Sequence, residues 1–245
     1  MLEVRGLSKS FGALRACDGI DFDVREGETH AVIGPNGAGK TTFISQLAGN
    51  LRPDTGTVRF AGADITALPA PRRARLGLAR SFQITSVYPE FSALDNVALA
   101  VQAHSGHSFR FWRAAQGDPA LAGPAERVLE QVGLQHRKGI LAANLAHGEQ
   151  RQLEVAMALA TEPRLLLLDE PMAGMGSEES QRMIGLLARL KQTKTIILVE
   201  HDMDAVFRLA DRISVLVYGR VIATDVPERI KLNEEVRKAY LGEDL

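Results

Sequence analysis

Cysteine is almost missing from this sequence. Cys17 is the only cysteine among 245 residues, which excludes an internal disulfide and any metal site built on paired cysteines. Such scarcity is typical of proteins from a reducing compartment. We expect Cys17 itself to be a small, buried, apolar residue.

Long apolar runs and an excess of either charge are also missing. No run approaches the roughly 18 apolar residues that span a bilayer, and residues 1–12 lack the apolar core of a secretory signal. We therefore expect a cytoplasmic protein that reaches a membrane only by docking on another protein. The chain has 29 Lys and Arg residues against 30 Asp and Glu residues. This balance gives no global attraction for nucleic acid, and we expect no nucleic-acid partner.

What the sequence does contain is GPNGAGKTT at residues 34–42, a full match to the phosphate-binding pattern Gly-x-x-x-x-Gly-Lys-[Ser/Thr]. THAVI at residues 29–33 predicts a short buried strand, and residues 41–48 predict a helix, which is the context that the pattern needs. The loop glycines let successive N–H groups converge on one anion at a helix N-terminus. The loop therefore predicts binding of a nucleoside triphosphate, against the alternative of a glycine-rich turn without a ligand.

Lys40 and Thr41 give this loop its chemistry. The ammonium of Lys40 can reach the β- and γ-phosphates, and the hydroxyl of Thr41 can bind the Mg²⁺ that accompanies them. The nucleotide contacts expected in this region are Asn36, Gly37, Gly39, Lys40, Thr41 and Thr42.

Asp169 and Glu170 follow four consecutive leucines at residues 165–168. Such a run predicts a strand buried on both faces, with the two acids at its carboxyl end, the edge where α/β sheets bind ligands. Asp169 suits Mg²⁺ binding, and Glu170 suits the general base that deprotonates an attacking water. The alternative is an acidic strand end that caps the next turn at Pro171.

A third strand is predicted at TIILV, residues 195–199, and His201 follows it on what would be the same sheet edge. His201 could donate a hydrogen bond to a γ-phosphate oxygen. A lone histidine at a strand end is, however, more often a surface or capping residue. Asp202 could cap a helix that begins at Met203.

The rest of the sequence divides into a strand-rich and a helical part. Residues 2–24 and 57–60 alternate apolar and polar side chains between turn signals, which predicts a small antiparallel layer around the nucleotide core. Ser92 and Asp95 form an approximate capping box before a helical pattern. Residues 103–121 show no clear period and are expected to form a loop or an irregular insertion.

LAHGE at residues 145–149 precedes a helical face formed by Leu153, Ala156, Met157 and Ala160. Here the chain resembles the ATP-binding subunits of ABC transporters, whose signature is Leu-Ser-Gly-Gly-Gln. The order of phosphate loop, signature, acidic strand and histidine matches that family from end to end. The resemblance implies an α/β fold: a P-loop NTPase (RecA-like) core with an antiparallel β layer and an inserted helical subdomain.

The same resemblance implies one ABC ATPase domain over residues 1–245, with ATP and Mg²⁺ as ligands. Its nucleotide-binding core would comprise residues 1–83 and 161–245, and its helical subdomain, residues 84–160, would carry the signature.

Roles for single residues also follow from the resemblance. Phe11 would stack on adenine, Gln83 would lie near Mg²⁺ and the attacking water, and His201 would be the switch histidine. The alternatives are a core aromatic at Phe11 and a polar loop residue at Gln83. The implied catalytic residues are Glu170, His201 and Gln83, and the implied metal-site residues are Thr41, Gln83 and Asp169.

In that family two ATPase domains pair head to tail, and each ATP lies between the phosphate loop of one and the signature of the other. The resemblance therefore implies a second copy or a paralogue as partner. N–H groups at the helix N-terminus beside the signature would form a second anion site. Two departures stand out: Ala146 replaces the signature serine, and Gly176 stands where many relatives have an aspartate. The signature contacts implied are Ala146, His147, Gly148 and Glu149.

VEHDM at residues 199–203 and VRKAYLGED at residues 236–244, with the altered signature, resemble the subunits that power uptake of branched-chain and other hydrophobic amino acids. This implies transmembrane permease subunits, indirectly a solute-binding protein, and a place on the inner face of the cell membrane. Docking is expected in the cleft near residues 83–91. Importers of urea or amides remain an alternative, as does a soluble ABC ATPase acting on nucleic acid or ribosomes. A P-loop kinase or GTPase would leave the signature without a function.

Overall fold

The computed structural model describes residues 1–81, 87–105 and 118–241, and of residues 240 and 241 it describes the backbone alone. Within these ranges the strands are β1 (Leu2–Phe11), β2 (Leu14–Val24), β3 (Thr29–Ile33), β4 (Thr55–Phe60), β5 (Ala63–Asp64), β6 (Leu78–Arg80), β7 (Leu165–Asp169), β8 (Thr195–Val199), β9 (Arg212–Val217) and β10 (Arg220–Asp225). The helices are α1 (Lys40–Ala48), α2 (Ala70–Arg75), α3 (Ala93–Ser105), α4 (Pro119–Val132), α5 (His147–Leu159), α6 (Ser177–Leu190), α7 (Met203–Leu209), α8 (Pro227–Leu232) and α9 (Glu234–Leu241).

The predicted antiparallel layer is present as a sheet of order β2-β1-β4-β5. A two-residue turn joins β1 to β2, and Gly12 adopts a positive φ of 59° there. Leu2, Val4 and Leu7 on one face of β1 are fully buried. This face belongs to the same apolar cluster as α1 and part of β7, so the layer covers one side of the nucleotide core.

A second sheet has the order β10-β9-β3-β8-β7-β6, in which only β10 pairs antiparallel within the described residues. All residues of β3, β7 and β8 are buried, as expected for parallel strands covered on both faces. The strand predictions for residues 29–33 and 195–199 are confirmed with those bounds. The strand predicted at the four leucines, residues 165–168, extends one residue further, to Asp169. The carboxyl ends of β3, β8 and β7 are therefore neighbours on one edge.

The four leucines of β7 serve two cores. Leu165 and Leu167 belong to the apolar cluster shared with the antiparallel layer. Leu166 and Leu168 belong to the cluster that includes the helical region. Since successive side chains of a strand point to opposite faces, an uninterrupted apolar run is what a strand between two such cores requires.

The helical region is formed by α3, α4 and α5, which pack against one another. The capping interaction predicted at its start is confirmed: Asp95 N donates to Ser92 Oγ at 3.0 Å, and Ser92 Oγ donates to Asp95 Oδ2 at 2.6 Å. No helix of the described residues is long and apolar enough to cross a membrane.

The loop predicted for residues 103–121 is wrong at both of its ends. Helix α3 continues to Ser105, and α4 begins at Pro119. Asp118 caps α4 by accepting a hydrogen bond from Ala120 N at 2.9 Å, and proline suits the first position of a helix. Residues 106–117 lie outside the described residues. The subdomain bounds at 84 and 160 stay predictions.

Cys17 is fully buried, as predicted. Its Sγ accepts a hydrogen bond from Gln46 Nε2 at 3.2 Å. Burial raises the pKa of the thiol to about 11, because the apolar surroundings disfavour the thiolate. Cys17 is therefore an inert core residue at neutral pH.

His30 on β3 makes the stability of the fold depend on pH. Its Nε2 lies 2.8 Å from Ser214 Oγ, and burial, with a smaller effect from Arg212, lowers its pKa from 6.5 to about 3. Between these values the unfolded chain binds a proton that the folded chain excludes. The stabilisation from neutral His30 is complete above pH 6.5 and is lost as the pH falls toward 3, by up to about 1.4 kcal/mol per pH unit.

We expect His30→Gln to weaken this pH dependence. The free energy of unfolding, measured with urea at pH 7.5 and pH 5.0, should differ between the two pH values by about 2 kcal/mol less in the variant than in the wild type. Carboxylates that titrate over the same range contribute to both proteins and cancel. An equal pH difference in the two proteins would contradict the assignment to His30.

Candidate functional site

The phosphate-binding loop connects β3 to α1 and lies against two neighbouring strands. A Cβ at Gly34 would lie 2.1 Å from the carbonyl oxygen of Leu216, and one at Gly39 would lie 2.1 Å from that of Ala16. Gly37 has a φ of 79° and Gly39 a φ of 102°, both in the region that favours glycine. The loop conformation therefore depends on these glycines, and α1 begins at Lys40 with Gly39 as its N-cap.

Lys40 is buried inside the loop. Its Nζ donates to the carbonyl oxygens of Gly34 at 2.6 Å and Pro35 at 3.1 Å. Burial lowers the pKa of Lys40, an effect that the nearby Glu170 and Asp169 carboxylates oppose. The ammonium thus lies between the loop and the acidic strand end. Of the other predicted contacts, Asn36, Gly37 and Thr41 are exposed and Gly39 and Thr42 are partly buried.

The two acids lie at the carboxyl end of β7, on the same edge as the loop. Asp169 pairs with Val199 of β8 and is fully buried. Its Oδ1 has no hydrogen-bond partner in the described part of the chain. Glu170 is partly exposed, has a φ of 50° and donates its N–H to Val199 O at 2.9 Å. A positive φ is uncommon for glutamate and marks strain of the kind found at functional sites.

Arg80 is a functional neighbour that the sequence did not identify. From the end of β6 it makes an ion pair with Asp169, with Nη2 to Oδ2 at 2.7 Å and side-chain exposures of 10% and 0%. Its Nη1 also donates to Ser45 Oγ of α1 at 3.2 Å. The guanidinium therefore joins the helix after the phosphate loop to the acidic strand end. A charged residue in a short apolar strand was the only available signal.

We expect Arg80→Met to lower the free energy of unfolding by about 3 kcal/mol, because removing one member of a buried ion pair leaves the other charge without compensation. Adding Asp169→Asn should restore most of that loss, since an amide needs no counter-charge. Urea unfolding of the single and double variants checks this. Additive losses would show that Arg80 does not act through Asp169.

His201 lies directly after β8, on the same edge, with its side chain 64% exposed. Its Nδ1 is 3.9 Å from Glu200 Oε2. The capping role predicted for Asp202 is confirmed: its Oδ1 accepts a hydrogen bond from Ala205 N at 3.2 Å, and α7 begins at Met203. His201 is thus held at the start of a helix and remains accessible to a ligand.

Phe11 is 50% exposed at the end of β1, so the alternative of a core aromatic is wrong. The hairpin that carries Phe11 continues into Ala16, whose carbonyl closely approaches Gly39 of the phosphate loop. An exposed ring beside a phosphate loop suits stacking on a base. Gln83 lies outside the described residues, and its roles stay predictions.

The signature region forms the N-terminus of α5, with Ala146 as N-cap. Glu149 Oε2 accepts from Ala146 N at 3.0 Å, and Glu149 Oε1 accepts from Arg137 Nε at 2.9 Å. Although burial opposes ionisation, these hydrogen bonds hold the pKa of Glu149 below its usual range. His147 is exposed and Gly148 is buried. Ala146 and His147 at this helix terminus are therefore exposed, while the N–H groups of Ala146 and Gly148 already donate to the carboxylates of Glu149 and Glu179.

Gly148 allows the Glu179 side chain of α6 to approach closely. A Cβ there would lie 2.8 Å from Glu179 Cδ, and Gly148 N donates to Glu179 Oε1 at 3.3 Å. His147 packs near Gly174 in the loop after β7, since a Cβ at Gly174 would lie 3.3 Å from His147 Cε1. The signature is thus in direct contact with the segment that follows Glu170.

The residues on the sheet edge fit a magnesium nucleotide. A Cβ at Gly34 or Gly39 would collide with a backbone carbonyl, Lys40 supplies a buried cation, and Asp169 has one buried oxygen without a hydrogen-bond partner in the described part of the chain. No group of three or more metal-ligating side chains occurs in residues 1–81, 87–105 and 118–241. A metal ion here would therefore need oxygen ligands from the phosphates, as is usual for Mg²⁺.

A family model described as ABC transporter matches residues 17–173. The chain belongs to this family of ABC ATPases. The cassette is 38% identical over 250 residues to the high-affinity branched-chain amino acid transport ATP-binding protein BraF of Pseudomonas aeruginosa, covering 99% of this chain and 98% of that protein. It is 36% identical to the corresponding protein LivG of Escherichia coli, with the same coverage.

A second family model, described as branched-chain amino acid ATP-binding cassette transporter, matches residues 220–245. In three dimensions the cassette is similar to the ADP conformation of MJ1267, an ATP-binding cassette of an ABC transporter, with a TM-score of 0.87, 27% identity and 99% coverage of both chains. The resemblance and the fold class predicted from the sequence are both confirmed. The kinase and GTPase alternative is wrong.

Proposed function

We propose that this ABC ATPase powers a membrane importer of branched-chain and other hydrophobic amino acids. This proposal rests mainly on the full-length similarity to two branched-chain amino acid transport ATP-binding proteins, and the family match of residues 220–245 supports it. The cassette would work on the inner face of the cell membrane, joined to permease subunits and indirectly to a solute-binding protein.

At the sheet edge, we propose that the loop N–H groups and Lys40 bind the β- and γ-phosphates of ATP. Thr41 and Asp169, with Gln83, would hold Mg²⁺, which neutralises charge on the phosphates when bound. Arg80 keeps Asp169 Oδ2 occupied, so that Oδ1 is the oxygen left for this contact. Phe11 would stack on adenine.

Glu170 is proposed as the general base for the attacking water, and His201 as the donor to the γ-phosphate. Both follow buried, adjacent parallel strands, so their backbones are fixed by the sheet. Glu170 starts from a strained backbone that is held by Val199 O.

We propose that a second cassette completes the ATP-binding site, because its signature would contact the γ-phosphate from the other side. The N-terminus of α5 supports this pairing, because Ala146 and His147 are exposed there and the helix dipole attracts an anion. The γ-phosphate would have to bind beside Glu149 and Glu179 of that cassette, which accept the N–H groups of Ala146 and Gly148. Ala146 has no hydroxyl, so recognition would depend on backbone donors. Contact between His147 and the loop at Gly174 would let one cassette sense closure at its acidic strand end.

A cleft between the core and the helical region would take the permease subunits. A cavity of about 380 Å³ lies there, and an apolar groove of this kind suits a short amphipathic segment of a membrane protein. The exposed rings of Tyr88 and Phe91, which do not line the cavity, stack with centroids 5.4 Å apart. The apolar lining includes Ala70, Leu78, Ala79, Ala100, Met157 and Ala158.

Uptake measurements test the transport proposal. The coding sequence is deleted in the organism of origin and restored as wild type or as Lys40→Ala, and uptake of radiolabelled leucine, isoleucine and valine is compared with uptake of urea and acetamide. We expect deletion to abolish high-affinity leucine uptake and only the wild type to restore it. Intact leucine uptake with loss of urea or acetamide uptake would overturn the proposed solute.

A further inference from the structure

Glu200 is a buried carboxylate for which the proposed reaction has no use. It lies between β8 and His201, and 1% of the residue is exposed. Its Oε1 accepts a hydrogen bond from Met172 N at 2.9 Å. Its Oε2 accepts from His201 N at 3.1 Å and from Asp202 N at 3.5 Å. One side chain therefore bonds the backbones of two separate loops.

Burying the Glu200 carboxylate lowers the stability of the fold unless its hydrogen bonds offset the loss of hydration. An ionised carboxylate is strongly destabilised by removal from water unless it is hydrogen-bonded or paired. Burial raises the pKa of Glu200, against the effect of these three N–H groups. Within the described residues its only ion-pair neighbour is His201, at 3.9 Å. An apolar residue could fill the same space without this cost, but it could not connect the two loops.

The two loops are those that carry the proposed base and the proposed switch histidine. Met172 follows Glu170 by two residues, and the N–H of Glu170 itself is bonded to Val199 O. The strained Glu170 is thus fixed on its amino side by β8 and on its carboxyl side by Glu200. The other oxygen of the same carboxylate fixes the start of the loop at His201.

We propose that Glu200 is a positioning residue that holds Glu170 and His201 in one relative geometry, so that both side chains act at the same γ-phosphate. This inference rests on the roles proposed for those two residues. Glu200 touches neither substrate nor reacting atoms. It acts by fixing the backbones at Glu170 and His201, whose side chains must keep their relative position to a fraction of an ångström. A misplacement of about 1 Å can lower the rate about 10²-fold.

Glu200→Gln is the sharpest test because it preserves size and burial. An amide can accept with its oxygen on one side only, and its NH₂ group then faces an N–H donor on the other. The bridge is therefore broken at one loop. We expect kcat for ATP hydrolysis to fall by about 10- to 100-fold, while the Kd for ATP and the KM stay within about twofold, since the phosphate loop is unchanged.

Glu28→Gln serves as the matched control. Glu28 is also a buried glutamate, and its Oε2 accepts a hydrogen bond from Arg25 N at 2.6 Å. It precedes β3 at the opposite edge of the sheet from the site. It should lose stability without losing kcat. Rates are compared at a temperature at which melting curves show each variant to be folded. If Glu200→Gln does not fold, Glu200→Asp replaces it in the test, because aspartate is too short to reach both loops.

A double variant separates positioning from general structural support. If Glu200 acts through His201, Glu200→Gln combined with His201→Ala should lower kcat by less than the product of the two single effects. Wild-type kcat in folded Glu200→Gln, or fully multiplicative effects, would overturn the inference. Undiminished turnover in Glu170→Gln would instead overturn the proposed base, which keeps the two failures distinct.

Discussion

Glu170→Gln is expected to lower the rate of ATP hydrolysis by about 10²- to 10⁴-fold, the usual contribution of a general base. Glutamine has the shape of glutamate but cannot take a proton from water. The side chain sits directly after Asp169 at the sheet edge, and the backbone N–H bond to Val199 should hold the variant in the same place. ATP binding should be unchanged, because Lys40 and the loop glycines remain.

Turnover of purified protein is measured by phosphate release, and ATP binding by calorimetry. Glu178→Gln is the matched control, since it makes the same chemical change on α6, where the side chain is 91% exposed. It should behave like the wild type. If Glu170→Gln hydrolysed ATP at the wild-type rate, another group would have to be the base.

Lys40→Ala is expected to weaken ATP binding by roughly 30-fold or more, equivalent to at least about 2 kcal/mol, the cost of removing one partner of a buried charge pair. The ammonium of Lys40 is buried in the loop and is held by the carbonyls of Gly34 and Pro35. The phosphates would compete for the same donors. Alanine leaves the loop without its cation.

Lys194→Ala is a suitable control for this substitution. The Nζ of Lys194 also donates to a proline carbonyl, that of Pro163 at 3.1 Å, but it precedes β8 at the far edge of the sheet. Its loss should leave the Kd for ATP within about twofold of wild type. Calorimetry gives both values. Equal affinities for ATP in wild type and Lys40→Ala would refute the assignment of this loop as the triphosphate site.

The nucleotide core could be predicted closely because its signals are local. The apolar runs at β3, β7 and β8 are followed, within two residues of their last apolar position, by the residues proposed to bind the ligand. Because the three strands are parallel, this order brings Asp169 and His201 to one edge. Even Asp202 could be recognised as a cap, because a cap and its helix are adjacent in sequence.

The contacts that organise the site could not be predicted in the same way. Arg80 and Asp169 are 89 residues apart, and Met172 and Glu200 are 28 apart, so no periodicity links them. The start of α4 does not follow from periodicity, because residues 103–121 show no clear period, although Asp118 and Pro119 together form a helix start signal. Local patterns identify elements, whereas the sheet order decides which side chains meet.

The roles of Phe11 and of the signature depended on resemblance. The sequence around Phe11 is compatible with a core aromatic, and only the hairpin geometry leaves the ring exposed. Similarly, Gly148 is explained by the approach of Glu179 from α6, a contact that the signature residues do not reveal by themselves.

The shared nucleotide site is tested most directly by the mass of Glu170→Gln in solution. Multi-angle light scattering of the purified variant, with and without Mg-ATP, should show a monomer that doubles in mass when Mg-ATP is added, because bound ATP is not consumed and joins two cassettes. Lys40→Ala should stay monomeric under both conditions. A Glu170→Gln protein that binds ATP by calorimetry and remains a monomer at every concentration would contradict pairing of two copies through ATP.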